Sequence, residues 1–181
     1  KVIPVDCNYV GKEFASAYLL VHQGRGFFVE CNTNYAIPYL VKAAQEAGLG
    51  TDQIDGLVIT HVHLDHAGGA GLFLKEFPQS KVYAHPRAAR HLMDPSKLIA
   101  SATAVYGESF MQQMYGSILP AASDRVVVLE DGAPIEWNGL AFRTRHTRGH
   151  ANHHLCIVVP ETSESPATVF TGDSFGVRSE E

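Results

Sequence analysis

The 181-residue sequence predicts an α/β fold. Short β-branched and aromatic runs alternate with segments of helical periodicity, which is typical of strands joined by helices. The composition is 45% hydrophobic and 18% charged, as in globular proteins, and excludes a disordered chain. Because no repeat, linker or low-complexity stretch divides it, the chain is predicted to form one domain over residues 1–181.

The first third of the chain predicts a hairpin followed by a helix. Strands at residues 18–21 and 27–29 flank a glycine-bearing connection at 23–26, which is typical of a β-hairpin. From Ile37 the apolar residues recur at helical spacing as far as Gly48, which suits a helix C-cap.

The alternation continues through the middle of the chain. A polar link at residues 51–55 leads into a buried strand at 57–60. Helical periodicity follows over 68–77 and is ended by Pro78, since proline cannot continue a helix. Residues 82–84 predict another short strand.

A long segment at residues 86–119 is helical in composition and has no predicted strand. Its apolar series comprises Val105, Tyr106, Phe110, Met111, Met114 and Tyr115. Ordinary core packing is the simpler explanation of such a stripe. The alternative is a helical cap that lines an adaptable apolar substrate pocket. Strands return at 125–129, after which a turn at 131–132 precedes strand-like segments around Leu140, Leu155 and Thr168.

The residues most informative about function lie at 60–69, Thr-His-Val-His-Leu-Asp-His-Ala-Gly-Gly, directly after a predicted strand. Side chains two apart on an extended segment point the same way, so His61 and His63 can converge on one cation. Asp65 and His66 then face a second point nearby. Imidazole and carboxylate ligands together suit Zn²⁺, with iron or manganese as substitutes.

Two more ligand types follow strand-like runs downstream. His150 comes directly after Gly149, beyond the run at 140–144, and Asp173 comes after Gly172, beyond the run at 168–170. A sheet brings such distant strand ends together.

The ordered combination of H-x-H-x-D-H, Gly-His and Gly-Asp resembles the metallo-β-lactamase-fold metallohydrolases over about residues 18–176. The phrases Gly-His-Ala-Asn-His-His and Thr-Gly-Asp-Ser-Phe-Gly resemble a branch of small hydrolase-like members with largely unassigned substrates. The resemblance implies an αββα sandwich whose site lies at one sheet edge. The implied ligands are His61, His63 and His150 for one metal, Asp65 and His66 for a second, and Asp173 as the bridge.

The chemistry implied by the resemblance is hydrolysis by a hydroxide shared between two Zn²⁺ ions. Asp65 is also the candidate catalytic residue, since it can receive a proton or orient the hydroxide. The absence of a G-x-S-x-G elbow agrees with a reaction that needs no protein nucleophile.

Three further residues near these ligands are candidates for substrate binding or for support of a ligand. One of His153 and His154 is predicted to face the site, since strand geometry alternates, although a satisfied structural histidine is the simpler explanation. Ser174 can cap or hydrogen-bond a ligand. Histidines 22, 85, 91 and 146 receive no role.

Three functions are consistent with this pattern. The leading hypothesis is a dinuclear metallohydrolase of a small ester, lactone, thioester or amide. The second is a mononuclear iron enzyme resembling the persulfide dioxygenases, which use two histidines and an aspartate. The third is a catalytically silent metal- or ligand-binding domain.

The composition indicates which binding partners and which cellular location to expect. The formal net charge is −5 and the basic residues are scattered, which argues against nucleic-acid binding and leaves a small-molecule substrate. Neither a signal peptide nor an 18-residue apolar span occurs, so no membrane association and a cytoplasmic location are expected. Cys7 and Cys31 can in principle pair, but reduced thiols are preferred, and Cys156 is expected to be a small buried residue.

A final expectation concerns the end of the chain. Members of the resembled family place another histidine on a strand well after the Gly-Asp. Only eight residues follow Asp173 and none is histidine. We therefore expect a C-terminally incomplete chain, whose missing part supplies that ligand and a closing strand.

Overall fold

The computed structural model describes residues 1–163 and 165–175. Within them, helices cover one face of a six-stranded sheet, and a four-stranded sheet packs on the other face. The mixed α/β architecture predicted from the sequence is confirmed. None of the helices in the described ranges combines the length and apolar character needed to cross a bilayer. Most of the residues beyond Asp173, on which the expectation of an incomplete chain depends, lie outside the described residues.

The first sheet has the strand order β1-β2-β3-β4-β5-β6. β1 to β3 are antiparallel neighbours, whereas β3 to β6 run parallel. Parallel pairing places the carboxyl ends of β3 and β4 at the same sheet edge, where the site residues follow. The strands are β1 (Val2–Asp6), β2 (Ser16–His22), β3 (Arg25–Val29), β4 (Ile54–Val58), β5 (Lys81–Ala84) and β6 (Val126–Val128).

The second sheet is antiparallel, with the order β10-β9-β8-β7. Its strands are β7 (Pro134–Trp137), β8 (Leu140–His146), β9 (Leu155–Val159) and β10 (Thr168–Phe170). The loop between β8 and β9 and the segment after β10 lie beside the carboxyl end of β4, because the backbone N–H of Leu155 donates to the carbonyl of Thr60 at 2.8 Å.

Six α-helices are found in the described part of the chain. They are α1 (Ile37–Glu46), α2 (Leu64–Ala67), α3 (Ala70–Glu76), α4 (Pro86–Met93), α5 (Ser96–Tyr106) and α6 (Glu108–Tyr115). α1, α3 and α4 bury their apolar faces against the first sheet. α5 and α6 lie outside that layer, and part of their apolar surface packs on Leu64. Short 3₁₀ helices occupy Asn34–Ala36, Thr51–Gln53, Ser123–Arg125 and Gly172–Phe175.

Two consecutive phenylalanines of β3 show how the core is divided, since successive strand side chains point to opposite faces. Phe28 lies on the helical side, with ring centroids 5.6 Å from Phe73 and 5.7 Å from Phe77. Phe27 lies between the sheets, 5.4 Å from Phe142 and 5.5 Å from Trp137. All of these rings except Trp137 are fully buried. One strand therefore connects the helix–sheet layer to the sheet–sheet layer.

Several elements differ from the predictions. The predicted strand at 57–60 begins earlier, at Ile54, and ends at Val58, so the polar link at 51–55 is partly strand. β1 and β7 were not predicted, because each is short and carries a proline that weakens the strand pattern. The hairpin, the helix after Ile37, the strand at 82–84 and the strandless helices within 86–119 are confirmed.

We predict that Gly56→Ala destabilises the protein. A Cβ at Gly56 lies 2.4 Å from Cε2 of the buried Phe27, closer than van der Waals contact allows. The expected cost is about 1–3 kcal/mol in the free energy of unfolding, seen as a melting temperature lower by several degrees. Gly11→Ala is the matched control, because its added Cβ meets nothing within 4 Å. Equal melting temperatures for the two variants would contradict the packing described.

Candidate metal centre

The candidate centre lies where the carboxyl ends of β3 and β4 meet the loops that follow β8 and β10. Thr60 is the junction of these segments. Its backbone N–H donates to Glu30 Oε1 at 2.9 Å, and its carbonyl accepts from the N–H of Leu155 at 2.8 Å. A Cβ at Gly172 would lie 2.6 Å from Thr60 Oγ1, so this close approach of the two loops requires glycine.

One histidine triad consists of His61, His63 and His150, as expected from the resemblance. His63 Nδ1 lies 3.0 Å from His61 Nε2 and 3.0 Å from His150 Nε2. One nitrogen from each residue lies within 4.8 Å of the others. Nitrogen ligands of a tetrahedral zinc ion are about 3.3 Å apart, given Zn–N distances of 2.0–2.1 Å. The spacing of the three nitrogens therefore fits a metal ion.

Burial keeps His61 and His63 in their neutral, ligating form. His61 is fully buried, and its pKa lies far below its ordinary value because of burial and the nearby rings of His66 and His63. Burial and His150 also lower the pKa of His63. With His61 Nε2 as the ligand atom, Nδ1 carries the proton and donates to Thr60 Oγ1 at 3.0 Å.

A second group of potential ligands consists of His61, His66 and Asp173, whose ligand atoms also lie within 4.8 Å of one another. Asp173 is placed between the two groups: Oδ1 lies 3.3 Å from His66 Nε2, and Oδ2 lies 3.4 Å from His150 Nε2. Asp65 is farther away, with Oδ2 3.8 Å from His66 Nε2. The structure thus brings the predicted ligands together, with Asp65 at the margin.

The charge on His66 depends on the carboxylates around it. Burial alone lowers the pKa of this imidazole, but Glu30, Asp65 and Asp173 outweigh that effect and raise the pKa to about 9. In the absence of an ion, His66 therefore carries a proton at neutral pH and compensates the carboxylates. An ion that binds His66 Nε2 must displace this proton.

Glu30 is a site residue that sequence reasoning missed. It is 6% exposed and has a left-handed backbone, with φ of 64°. Oε2 lies 3.6 Å from His66 Nδ1 and has no hydrogen-bond partner among the described residues. A buried carboxylate oxygen beside one nitrogen of His66 directs the other nitrogen toward the candidate centre. The sequence feature that could have indicated this role is an acidic residue directly after an apolar strand.

His154 connects two ligand-bearing loops. It is fully buried, and its Nε2 accepts the backbone N–H of Asp173 at 3.2 Å. The other nitrogen, Nδ1, must then carry the proton and donate to Thr147 Oγ1 at 2.8 Å. Ser174 joins this network, with its hydroxyl 3.4 Å from Thr147 Oγ1 and 3.6 Å from the partly buried Cys156 Sγ. Cys156 is only partly buried and so differs from the small buried residue that we expected.

His153 also lies beside the centre. Its ring is stacked 6.3 Å from His61 and lies 5.6 Å from His63, and its Nδ1 accepts the N–H of Val62 at 3.4 Å. His154, with partners for both ring nitrogens, fits the satisfied structural histidine considered from the sequence, whereas His153 lies beside His61 and His63. Both precede β9 in a turn, where strand alternation does not apply.

The predicted cap residues divide into two groups. Met111 and Tyr115 are buried against Leu64, the residue before Asp65, and Met114 packs partly against them. Tyr106 and Phe110 are 58% and 40% exposed. Core packing therefore accounts for the first group and leaves the two exposed rings unexplained.

We predict that protonated His66 stabilises the metal-free protein at low pH and that this contribution is lost as pH rises from about 6.5 to about 9. The pKa of His66 is about 9 in the folded protein and about 6.5 in an unfolded chain. Its protonation therefore stabilises the fold fully below pH 6.5, and this contribution disappears as pH rises through 9. Urea unfolding of chelator-treated protein at pH 6, 7.5 and 9 measures the effect. The loss of unfolding free energy in His66→Gln relative to the wild type should be largest at pH 6 and should shrink by pH 9, whereas the difference between His22→Gln and the wild type should not change in this way. A His66→Gln difference that is the same at all three pH values would refute the assignment.

Sequence comparison identifies relatives across this region. A family model described as the metallo-β-lactamase superfamily matches residues 10–181. A metallo-β-lactamase fold-containing protein of Sulfurisphaera tokodaii is 30% identical over 129 residues, covering 69% of this chain and 46% of the relative. A hydroxyacylglutathione hydrolase of Aeromonas salmonicida is 29% identical over 103 residues, covering 57% of this chain and 28% of the relative. The chain thus spans less than half the length of these relatives.

Solved structures agree at the level of the fold. MEM-A1, a subclass B3 metallo-β-lactamase from a soil metagenome library, matches 93% of this chain and 58% of its own, with a TM-score of 0.68 and 17% identity. The MIM-2 metallo-β-lactamase matches 87% of this chain and 56% of its own, with a TM-score of 0.64 and 23% identity. The family model that matches residues 10–181 shows that the chain belongs to the metallo-β-lactamase superfamily, and the histidine groups positioned to bind metal agree with that membership.

Proposed function

We propose that this protein is a metal-dependent hydrolase of a small ester, lactone, thioester or amide. The observation that carries the proposal is the pair of adjoining donor groups, His61–His63–His150 and His61–His66–Asp173, linked by the carboxylate of Asp173. Imidazoles and a carboxylate form a donor set that zinc prefers, and we propose two Zn²⁺ ions, of which the first would occupy the group His61–His63–His150.

The residues have distinct roles in this proposal. The first ion would be held by His61, His63 and His150, and the second by Asp65 and His66. Asp173 would bind both ions. A bound zinc pair supplies Lewis acidity and lowers the pKa of water toward neutrality. Glu30 fixes the orientation of His66, and His154 fixes the backbone of Asp173.

Asp65 is the proposed proton acceptor. Its side chain is 40% exposed, and it borders the same cavity as His66 and Asp173. A carboxylate in this position can take a proton from the attacking water and deliver it to the leaving group. The backbone of Asp65 is held in place by Asn32, whose Nδ2 donates to the Asp65 carbonyl at 2.6 Å.

The relatives support hydrolysis of an acyl compound. Several are hydroxyacylglutathione hydrolases, which act on an acylated thiol, and the activity comes to this chain only as part of the proposal. The free thiols Cys7, Cys31 and Cys156 support a cytoplasmic location, which we also propose.

One observation favours a second candidate function. His61, His66 and Asp173 are two histidines and one carboxylate, the ligand set of mononuclear iron oxygenases. Metal analysis with optical and EPR spectra separates the two candidates. Activity with iron and a persulfide, without hydrolysis of acyl substrates by the zinc form, would favour the oxidoreductase. Metal binding without either activity would indicate a silent domain.

We predict that Asp65→Asn lowers kcat for hydrolysis by roughly a hundredfold or more and changes KM much less, because it removes a proton acceptor. The measurement is steady-state hydrolysis of thioester and lactone substrates by zinc-loaded protein, with zinc content determined for each variant. Asp124→Asn, an exposed carboxylate in the 3₁₀ helix Ser123–Arg125, is the matched control and should keep wild-type kcat. Wild-type kcat in Asp65→Asn with normal zinc content would show that Asp65 takes no part in proton transfer.

A further inference from the structure

A continuous series of aromatic rings connects the β1–β2 loop (residues 7–15) with α6. The ring of Tyr9 lies 6.2 Å from that of Phe14 and 6.4 Å from that of Tyr115, and the two tyrosine hydroxyls are 3.2 Å apart. Phe110 lies 6.4 Å from Tyr115 and 5.3 Å from Tyr106. We call these five residues the aromatic arc. Phe14, like Tyr106, is more than half exposed, although such rings are usually buried.

The arc enters the same cavity as the candidate ligands. A cavity of about 310 Å³ is lined by Tyr9 and Phe14, together with Tyr18 and Phe170, whose rings are 4.9 Å apart. The same cavity is lined by Asp65, His66 and Asp173. This volume is typical of a small-molecule site, which combines apolar walls with a few polar groups. One molecule can therefore contact the rings and the candidate centre simultaneously.

The lining also restricts what the cavity can bind. Among the described residues that line it, none is a lysine or an arginine. A charged substrate group would find no polar partner among the aromatic rings of the cavity. The free energy falls when an uncharged aliphatic group leaves water and packs against the rings.

The loop that carries the rings is strained. Asn8, Val10 and Glu13 all have left-handed backbones, with φ of 50°, 62° and 62°. For the β-branched Val10 this conformation is a genuine outlier. The carboxylate of Asp6 holds the loop, because its two oxygens accept the backbone N–H groups of Asn8 at 2.9 Å and Glu13 at 3.0 Å. Strain of this kind is found at ligand-binding loops, where the surrounding structure maintains it.

We propose that the Tyr9 and Phe14 end of the aromatic arc is the subsite for the acyl group of the substrate, which is an uncharged aliphatic chain. This inference rests on the proposed hydrolase function and specifies its substrate class. The acyl carbon lies at the ligand-bearing end of the cavity, and the chain extends along Tyr9 and Phe14. Tyr115 supports Tyr9 from behind through the contact between their hydroxyls.

The test combines binding with turnover on the zinc-loaded protein. Calorimetry with straight-chain carboxylates from butanoate to octanoate should show affinity rising about twofold to fourfold for each added methylene. Phe14→Ala and Tyr9→Ala should lower octanoate affinity about tenfold and change butanoate affinity less than twofold. Tyr9→Phe, which keeps the ring, should restore most of the octanoate affinity.

Val105→Ala is the matched control, since Val105 is 74% exposed on α5 and outside the arc, and it should bind octanoate as the wild type does. Affinity independent of chain length, or an equal loss in Val105→Ala, would overturn the subsite.

Hydrolysis of p-nitrophenyl acetate and p-nitrophenyl octanoate is measured in parallel. Preferential binding of octanoate with no turnover of either ester would contradict the hydrolase and leave the subsite supported. Equal turnover of both esters with flat affinities would contradict the subsite alone.

Discussion

The candidate centre depends on how the polar groups of Thr60 are satisfied. Its N–H is bound by Glu30, its carbonyl by the N–H of Leu155, and its hydroxyl lies 3.0 Å from His61 Nδ1. Because buried backbone groups must be paired, these bonds fix the two sheets relative to each other at the point where the ligands emerge. Gly172 completes the junction, since any side chain there would meet Thr60. Thr60 thus determines both the fold at this edge and the orientation of the central histidine.

The electrostatics of the centre follow from this burial. Histidines 61 and 63 are held neutral by burial and mutual repulsion, whereas His66 is surrounded by carboxylates and holds a proton. A site that places neutral donors beside a displaceable proton is suited to cations, which is the basis of the proposed function. The same cavity continues from these carboxylates to the rings of Tyr9 and Phe14, so the centre that would polarise an acyl group adjoins a surface able to bind its chain.

Much of this could be predicted from local sequence. The spacing of His61, His63 and His66 and the strand before them are short-range features, and the structure brings them together with the distant His150 and Asp173. The role of Glu30 could not be predicted from local sequence, because it depends on the parallel pairing of β3 with β4 and on a left-handed backbone. His153 and His154 were candidates from the sequence, but the placement of their rings could not be predicted, because both precede β9 in a turn, where strand periodicity does not apply.

The most direct test of the central claim is the position of zinc in a crystal of the zinc-loaded protein, located by anomalous scattering at the zinc edge. We expect an anomalous peak about 2.0–2.1 Å from His61 Nε2, His63 Nδ1 and His150 Nε2, and a second peak beside His66 and Asp173. No peak at saturating zinc, or a peak elsewhere that leaves His61 Nε2 without an ion, would contradict it.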